Sequence, residues 1–320
     1  MVPLFEPKVS SMDRFTFQNS TTSEIAQIVK ANGPKVCVFA LNGTRRWFML
    51  EYAQPGEDFA PAYLAAITKR YIEIARLLFD HGIHTLLMPA LSPYLMARGS
   101  SYTQMAATAL SQLVEQPQFL DFYDSYQVRV RFYGDYEQCF ADTPYAYLST
   151  QFHDLSKRTR NNNQHRLFWG VCAHDATETT IALSIRFYEE NGRPPTKEEL
   201  ITLYYGEPVP PVSFFISSAK LRAYDMPLIS SGREDLYYSI SPSPYLTTSQ
   251  LRDILYDHLF ARRKEKIDYA ALKPEKWAEL RDFYQINLGR TLGVGLKDDA
   301  GFWHPSPQVI PPSYGSSDVA

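Results

Sequence analysis

The stretch Val36-Cys37-Val38-Phe39-Ala40-Leu41-Asn42-Gly43-Thr44-Arg45-Arg46-Trp47-Phe48 carries the decisive information in this chain. Residues 36–41 are an unbroken apolar run, the pattern of a short buried strand. They give way to an amide, a glycine, a hydroxyl and two adjacent arginines. A strand that ends in this way can present backbone N–H groups and two guanidinium ions to a doubly charged anion at its carboxyl end. Taken alone, Gly43-Thr44-Arg45-Arg46 is equally compatible with a turn followed by a solvated arginine pair.

The surroundings of that strand read as alternating helices and strands. Upstream, Ser20-Thr21-Thr22-Ser23-Glu24 supplies caps for a short helix through residues 25–29, stopped at Asn32-Gly33-Pro34. The strand itself is predicted over 35–41. Ile67, Tyr71, Ile74, Leu77 and Leu78 fall at three- and four-residue spacing, which predicts an amphipathic helix over 60–81 closed by His81-Gly82. Strands follow at 84–89, 127–133, 167–172, 213–217 and 237–240. Helices are predicted at 101–115, near 117–125, near 143–156, at 177–190, from Thr196 by capping-box logic, and at 248–263. The polar run 158–163 reads as a flexible loop.

This order indicates a single α/β domain, with a mostly parallel central sheet covered by helices on both faces. The domain spans 1–304, with 1–20 as a variable lead-in and 305–320, rich in Pro and Ser, as a disordered tail. Ligands of such sheets sit at the carboxyl ends of strands. Residues 42–46 and 89–102 occupy those positions.

Composition narrows the function classes. With 45% hydrophobic and 21% charged residues, the 320-residue chain is ordinarily globular. A formal net charge of −3 gives no general attraction to a nucleic-acid polymer or a membrane surface. Cys37, Cys139 and Cys172 are odd in number and far apart, which suits a reducing compartment and argues against a structural zinc site. No run approaches the ~20 apolar residues of a membrane span, and the N-terminus lacks a signal-peptide pattern. A cytoplasmic protein is expected. Aromatic residues make up 14% of the chain; most serve core and surface, but they would also suit walls around a cation.

Residues 41–48 resemble the diphosphate-binding signature of the cis-prenyltransferases, Met-Asp-Gly-Asn-x-Arg-Trp-Ala. They are closer to a bacterial offshoot of that fold, the tuberculosinol and kolavelool synthase group, where the motif reads Asp-Gly-Thr-Arg-Arg-Trp-Phe. Gly33-Pro34-Lys35, Asp80-His81-Gly82-Ile83, Phe132-Tyr133-Gly134-Asp135-Tyr136, His165-Arg166-Leu167, Tyr204-Tyr205-Gly206-Glu207 and Ile254-Leu255-Tyr256-Asp257-His258 resemble further segments of that group in the same order. The likeness covers roughly residues 33–303. It implies a diterpene synthase that ionises a bicyclic C20 diphosphate, uses magnesium and forms a homodimer.

The resemblance also assigns residues. Gly43, Thr44, Arg45, Arg46 and Arg222 are implied to bind diphosphate, the arginines because planar guanidinium groups chelate phosphate oxygens bidentately. Asn42 stands where the family carries a metal-associated aspartate, and brings no negative charge. Ser217 stands where chain elongators carry an arginine, so part of a second diphosphate site is missing. Asp235 matches a metal-associated carboxylate, although a sheet-edge aspartate reads the same way. Tyr102 and Tyr63 match tyrosines placed near the cation. Arg166 is a lesser phosphate candidate, and His174-Asp175 does not form a dyad on one strand.

Neither the DDxxD motif of trans-prenyl chemistry nor the DxDD motif of protonating cyclases occurs. The implied reaction therefore starts from an allylic diphosphate and ends with water, giving a tertiary diterpene alcohol of the kolavelool type. Transfer to adenosine N1 is the alternative, and a non-catalytic partner subunit a third reading.

Overall fold

The sheet strands are apolar along nearly their whole length, the pattern of strands covered on both faces. A computed structural model describes residues 12–53, 59–92, 99–218, 220–222, 224–262, 268–306 and 309. The chain opens with α1 (Arg14–Asn19) and α2 (Thr22–Ala31), then β1 (Val36–Phe39), α3 (Thr44–Glu51), α4 (Phe59–Asp80) and β2 (Thr85–Leu91). It continues through α5 (Ser100–Glu115), α6 (Pro117–Ser125), β3 (Val128–Tyr133), α7 (Tyr136–Phe140), α8 (Tyr147–Arg158) and β4 (His165–Val171). Next come α9 (Thr177–Asn191), α10 (Lys197–Tyr205), β5 (Phe214–Ser218), β6 (Asp235–Ser239) and α11 (Thr248–Tyr256). A C-terminal arm adds α12 (Pro274–Asn287) and the strands β7 (Gly295–Lys297) and β8 (Trp303–Pro305).

The central sheet has six strands in the order β3-β4-β2-β1-β5-β6. Each adjacent pair is parallel. Alternate side chains point to opposite faces. Cys37, Phe39, Leu86, Met88, Leu167, Trp169, Phe214 and Ile216 bury one face with α2, α4, α6, α8 and α11. Val36, Val38, Leu87, Phe168 and Phe215 bury the other beneath α10 and the segment through Ile229. From β1 the chain steps to β2, passes to β3 at the sheet edge, returns to place β4 between them, and then crosses to set β5 on the other side of β1. The carboxyl ends of β1 and β5 therefore form the switch point at which open α/β sheets bind ligands.

The predicted single domain, parallel sheet and helical cover are present, and every predicted strand exists with ends shifted by a few residues. Several local expectations are corrected. The lead-in contains α1, fixed by an Asp13 N-cap and the fully buried Phe17. The run 158–163 is a braced turn: Arg158 pairs with Asp124, Thr159 is buried and accepts from the Val130 N–H, and the Asn162 amide donates to Val128 and Tyr123 carbonyls. The predicted helix at 143–156 is displaced to α8. The tail was placed from residue 305, yet Pro305 belongs to β8 and pairs with Gly295; residues 310–320 lie outside the described residues.

Arg166 lies at the amino end of β4, away from the switch point. There it meets the buried Glu207 at 2.5 Å, together with Arg131 at 3.1 Å and Arg129 at 3.6 Å. One carboxylate holds three arginines together. Removing it leaves like charges half-buried at close range, a large penalty. Glu207→Ala should therefore cost about 3 kcal/mol of unfolding free energy in urea denaturation. A loss below about 0.5 kcal/mol would show the cluster to be solvent-screened surface charge.

Candidate functional site

The site is built where β1 stops. Ala40 still donates to the Ile216 carbonyl of β5 at 3.0 Å, and then Gly43, at φ 76°, turns the chain into α3. Only glycine suits this turn. Besides the left-handed φ, a Cβ at Gly43 would lie 3.0 Å from Pro242 Cβ and 3.3 Å from Arg46 Nη2. Gly43 as N-cap supplies no side-chain oxygen, and the first turn of α3 holds no acidic residue. The Trp47 N–H is the first to close on the Gly43 carbonyl, at 2.9 Å. The N–H groups of Thr44, Arg45 and Arg46 thus lack intrahelical acceptors, at the positive end of the helix dipole.

Both arginines rise from this turn. The Arg45 guanidinium lies over the Tyr102 ring, 4.6 Å from its centroid. That of Arg46 lies 5.7 Å from the centroid of Phe302. Among the described residues, no carboxylate pairs with either. Two guanidiniums and three N–H groups without intrahelical acceptors, with no carboxylate paired to them among the described residues, make a receptor for a polyanion.

The floor of the site is neutral. Asn42 donates its amide N–H groups to Ser217 Oγ at 2.9 Å and to the Tyr224 hydroxyl, and these two hydroxyls are 3.1 Å apart. Ser217 is 1% exposed. The Asn42 backbone N–H donates to Ser243 Oγ at 3.1 Å, and Ser243 Oγ donates to the Ala40 carbonyl at 2.8 Å. The resemblance stated above implies an aspartate at residue 42 and an arginine at residue 217; the neutral residues found at both places here are hydrogen-bonded to each other.

An aromatic wall adjoins the cationic turn. Thr44 Oγ1 and the Tyr63 hydroxyl are 2.8 Å apart. Tyr63 stacks on Phe59 at 5.3 Å and meets Phe48 edge-on at 5.6 Å; Trp47, Leu64 and Ile67 complete the cluster, with Tyr71 and Met105 packed against it. Burial pushes the Tyr63 hydroxyl above its ordinary pKa, while the Thr44 hydrogen bond and the Arg45 cation pull it back. It is a neutral phenol at physiological pH.

The structure thus brings together Asn42, Gly43, Thr44, Arg45, Arg46, Tyr63 and Tyr102. Arg222 stands on the facing segment after β5, its backbone N–H and carbonyl tied to the Tyr238 hydroxyl and its side chain exposed. Asp235 is not brought to the site. It begins β6 opposite Phe214, four residues and about 13 Å along the strand from the Ser218 end. It is occupied by His258 at 2.7 Å and Arg262 at 3.5 Å. Among the described residues no three His, Cys, Asp or Glu come together. With an amide at residue 42 and Asp235 bound elsewhere, the donor set does not fit a magnesium ion held by the protein.

Sequence reasoning missed Tyr224, Ser218, Ser243 and Phe302. Ser218 and Ser243 are each 2% exposed, with hydroxyls 3.1 Å apart. Ser218 ends β5 beside Ser217 and Tyr224 follows on the same segment, while Ser243 and Phe302 arrive from separate turns, so no spacing links the four. Residues 93–98, including Arg98, lie outside the described residues. No helix among those described is long and apolar enough to cross a membrane.

No protein-family model matches the chain. It is 40% identical over 281 residues to tuberculosinyl adenosine transferase of Mycobacterium tuberculosis, covering 87% of this chain and 93% of that protein. It is 25% identical over 288 residues to (+)-kolavelool synthase of Herpetosiphon aurantiacus, covering 88% and 93%. Two solved structures share the fold. Lavandulyl diphosphate synthase from Lavandula x intermedia, in complex with dimethylallyl diphosphate, superposes with a TM-score of 0.58 at 16% identity, over 72% of this chain and 97% of that one. A probable undecaprenyl diphosphate synthase from Campylobacter jejuni gives 0.52 at 15% identity, over 73% and 98%.

Replacing Arg45 or Arg46 with Ala should lower turnover of an allylic diphosphate about a hundredfold, since each supplies charge-assisted hydrogen bonds to developing negative charge. The melting temperature should hold, because Arg45 is exposed and Arg46 only half-buried. Wild-type turnover in both single variants would remove the site.

Proposed function

The chain belongs to the family of tuberculosinyl adenosine transferase, enzymes of the cis-prenyltransferase fold that act on prenyl diphosphates, and from that premise we propose that it ionises a bicyclic C20 allylic diphosphate and transfers the carbocation to adenosine. The observation that carries the first half is the uncompensated positive turn at Gly43–Arg46. As the carbon–oxygen bond breaks, the electron pair leaves with the diphosphate. Its growing charge falls on the Arg45 and Arg46 guanidiniums and the free N–H groups of α3. Arg222 closes on it from the facing segment. Beside the turn, the half-buried Phe59 and the edge of Tyr63, backed by the buried Phe48, offer aromatic surface that attracts the cation without reacting with it.

The choice of acceptor rests on proton accounting and on the 40% identity. Adenosine N1 attacks with its own lone pair. A carbon–nitrogen bond forms, no proton is released, and the positive charge ends on the purine. Water must lose a proton after attack. Asn42 is an amide and cannot accept one, and neutral Tyr63 is a poor base. Water capture is the second reading, supported by the likeness to (+)-kolavelool synthase and by phenols that can orient a water molecule.

Magnesium, where it takes part, arrives on the diphosphate oxygens rather than on Asn42 or Asp235. The same reading takes the protein to be a homodimer. In support, α9 has no buried residue, and its Ile181, Ile185 and Tyr188 are each 55% exposed, apolar surface that a second copy would cover.

The enzyme, incubated in oxygen-18 water with C15 and C20 diphosphates, with and without adenosine, and followed by mass spectrometry, should yield an unlabelled nucleoside adduct from a C20 substrate. A labelled tertiary alcohol in the presence of adenosine would install the water reading. An elongated C25 product on adding isopentenyl diphosphate would overturn both.

A further inference from the structure

The C-terminal arm, residues 268–306, contains no buried residue, yet it is built around a defined hairpin. In the turn between β7 and β8, the Asp298 N–H donates to the Phe302 carbonyl at 2.9 Å, and the Asp298 carboxylate accepts from the Phe302 N–H at 2.7 Å. Asp298 also meets His304 at 2.8 Å. Trp303 packs so closely on Gly295 that a Cβ there would lie 2.4 Å from the indole. The hairpin is therefore a rigid carrier for the residues at its rim.

It meets the body of the protein at both arginine-bearing elements. A Cβ built on Gly293 would lie 3.6 Å from Leu221 Cδ1, next to Arg222. At the other side, the Phe302 ring lies 5.7 Å from the Arg46 Cζ. Arg46 Nη2 in turn lies 3.3 Å from the place a Gly43 Cβ would fill. The guanidinium is thus set between the Gly43 turn and an aromatic ring.

We propose that Phe302, carried by the β7–β8 hairpin, is a positioning residue of the anion site. Its ring holds the Arg46 guanidinium against the Gly43 turn, with the N–H edge left free to chelate phosphate. An unrestrained arginine side chain loses several rotamers on binding an anion, and a ring that fixes one of them beforehand reduces that loss. The ring face attracts the cation electrostatically and leaves its hydrogen-bonding edge open. This rests on the reading that Arg45 and Arg46 bind diphosphate.

Inorganic diphosphate binding to the full-length protein, measured by calorimetry, tests it with Phe302→Leu, Phe302→Tyr and Arg46→Ala. Phe302 is 45% exposed, so these variants should keep the wild-type melting temperature. Arg46→Ala should bind more than tenfold more weakly, Phe302→Leu about three- to tenfold more weakly, and Phe302→Tyr within about twofold of wild type. The Leu variant should raise KM by the same factor while kcat changes little. If Arg46→Ala weakens binding and Phe302→Leu does not, the hairpin has no part in the site, while the diphosphate reading stands. Equal losses in the Leu and Tyr variants would overturn the role of the ring. Undiminished binding in Arg46→Ala would overturn the diphosphate reading itself.

Discussion

Two parallel strands end side by side at the centre of the sheet, and the chain leaves them in opposite directions. From β1 it turns into α3 and on toward β2; from β5 it runs toward β6. Everything functional in this protein depends on that divergence. It opens a crevice whose one wall is the amino end of a helix and whose other wall is the segment bearing Ser217, Arg222 and Tyr224. The helix end supplies part of the positive field there, and Arg45 and Arg46 add two full charges that no described carboxylate cancels.

The neutral floor gives the site its individual character. An aspartate at residue 42 beside an arginine at 217 would form an ion pair at the base of the crevice. The asparagine and serine found here meet at 2.9 Å, joined by Tyr224. Removing a charge of each sign leaves the net field of the crevice unchanged. It does remove the one group in the motif able to take a proton or to hold a divalent cation.

The fold was legible because continuous apolar runs and capping boxes are local signals. Thr21 with Glu24 and Thr196 with Glu199 start helices where the sequence placed them. The arm beyond residue 268 was not legible, since α12 buries nothing and so carries no apolar stripe to find. α3 was missed for a related reason: eight residues with only Trp47 and Phe48 buried leave little periodicity. At the site, residues next to one another in sequence were found together, while Ser243, Tyr224 and Phe302 arrive from separate loops. Asp235 shows the converse. Its motif match placed it with the metal, but the parallel register set it at the opposite end of the sheet, against His258 and Arg262.

The central claim is that the prenyl diphosphate sits at the amino end of α3. A crystal structure with an inert C20 thiolodiphosphate tests it most directly. Phosphate oxygens should lie about 3 Å from the Arg45 and Arg46 guanidiniums and from the first N–H groups of α3, with the hydrocarbon against Phe59 and Tyr63. Phosphates found instead beside Arg129, Arg131 and Arg166, at the other end of the sheet, would contradict it.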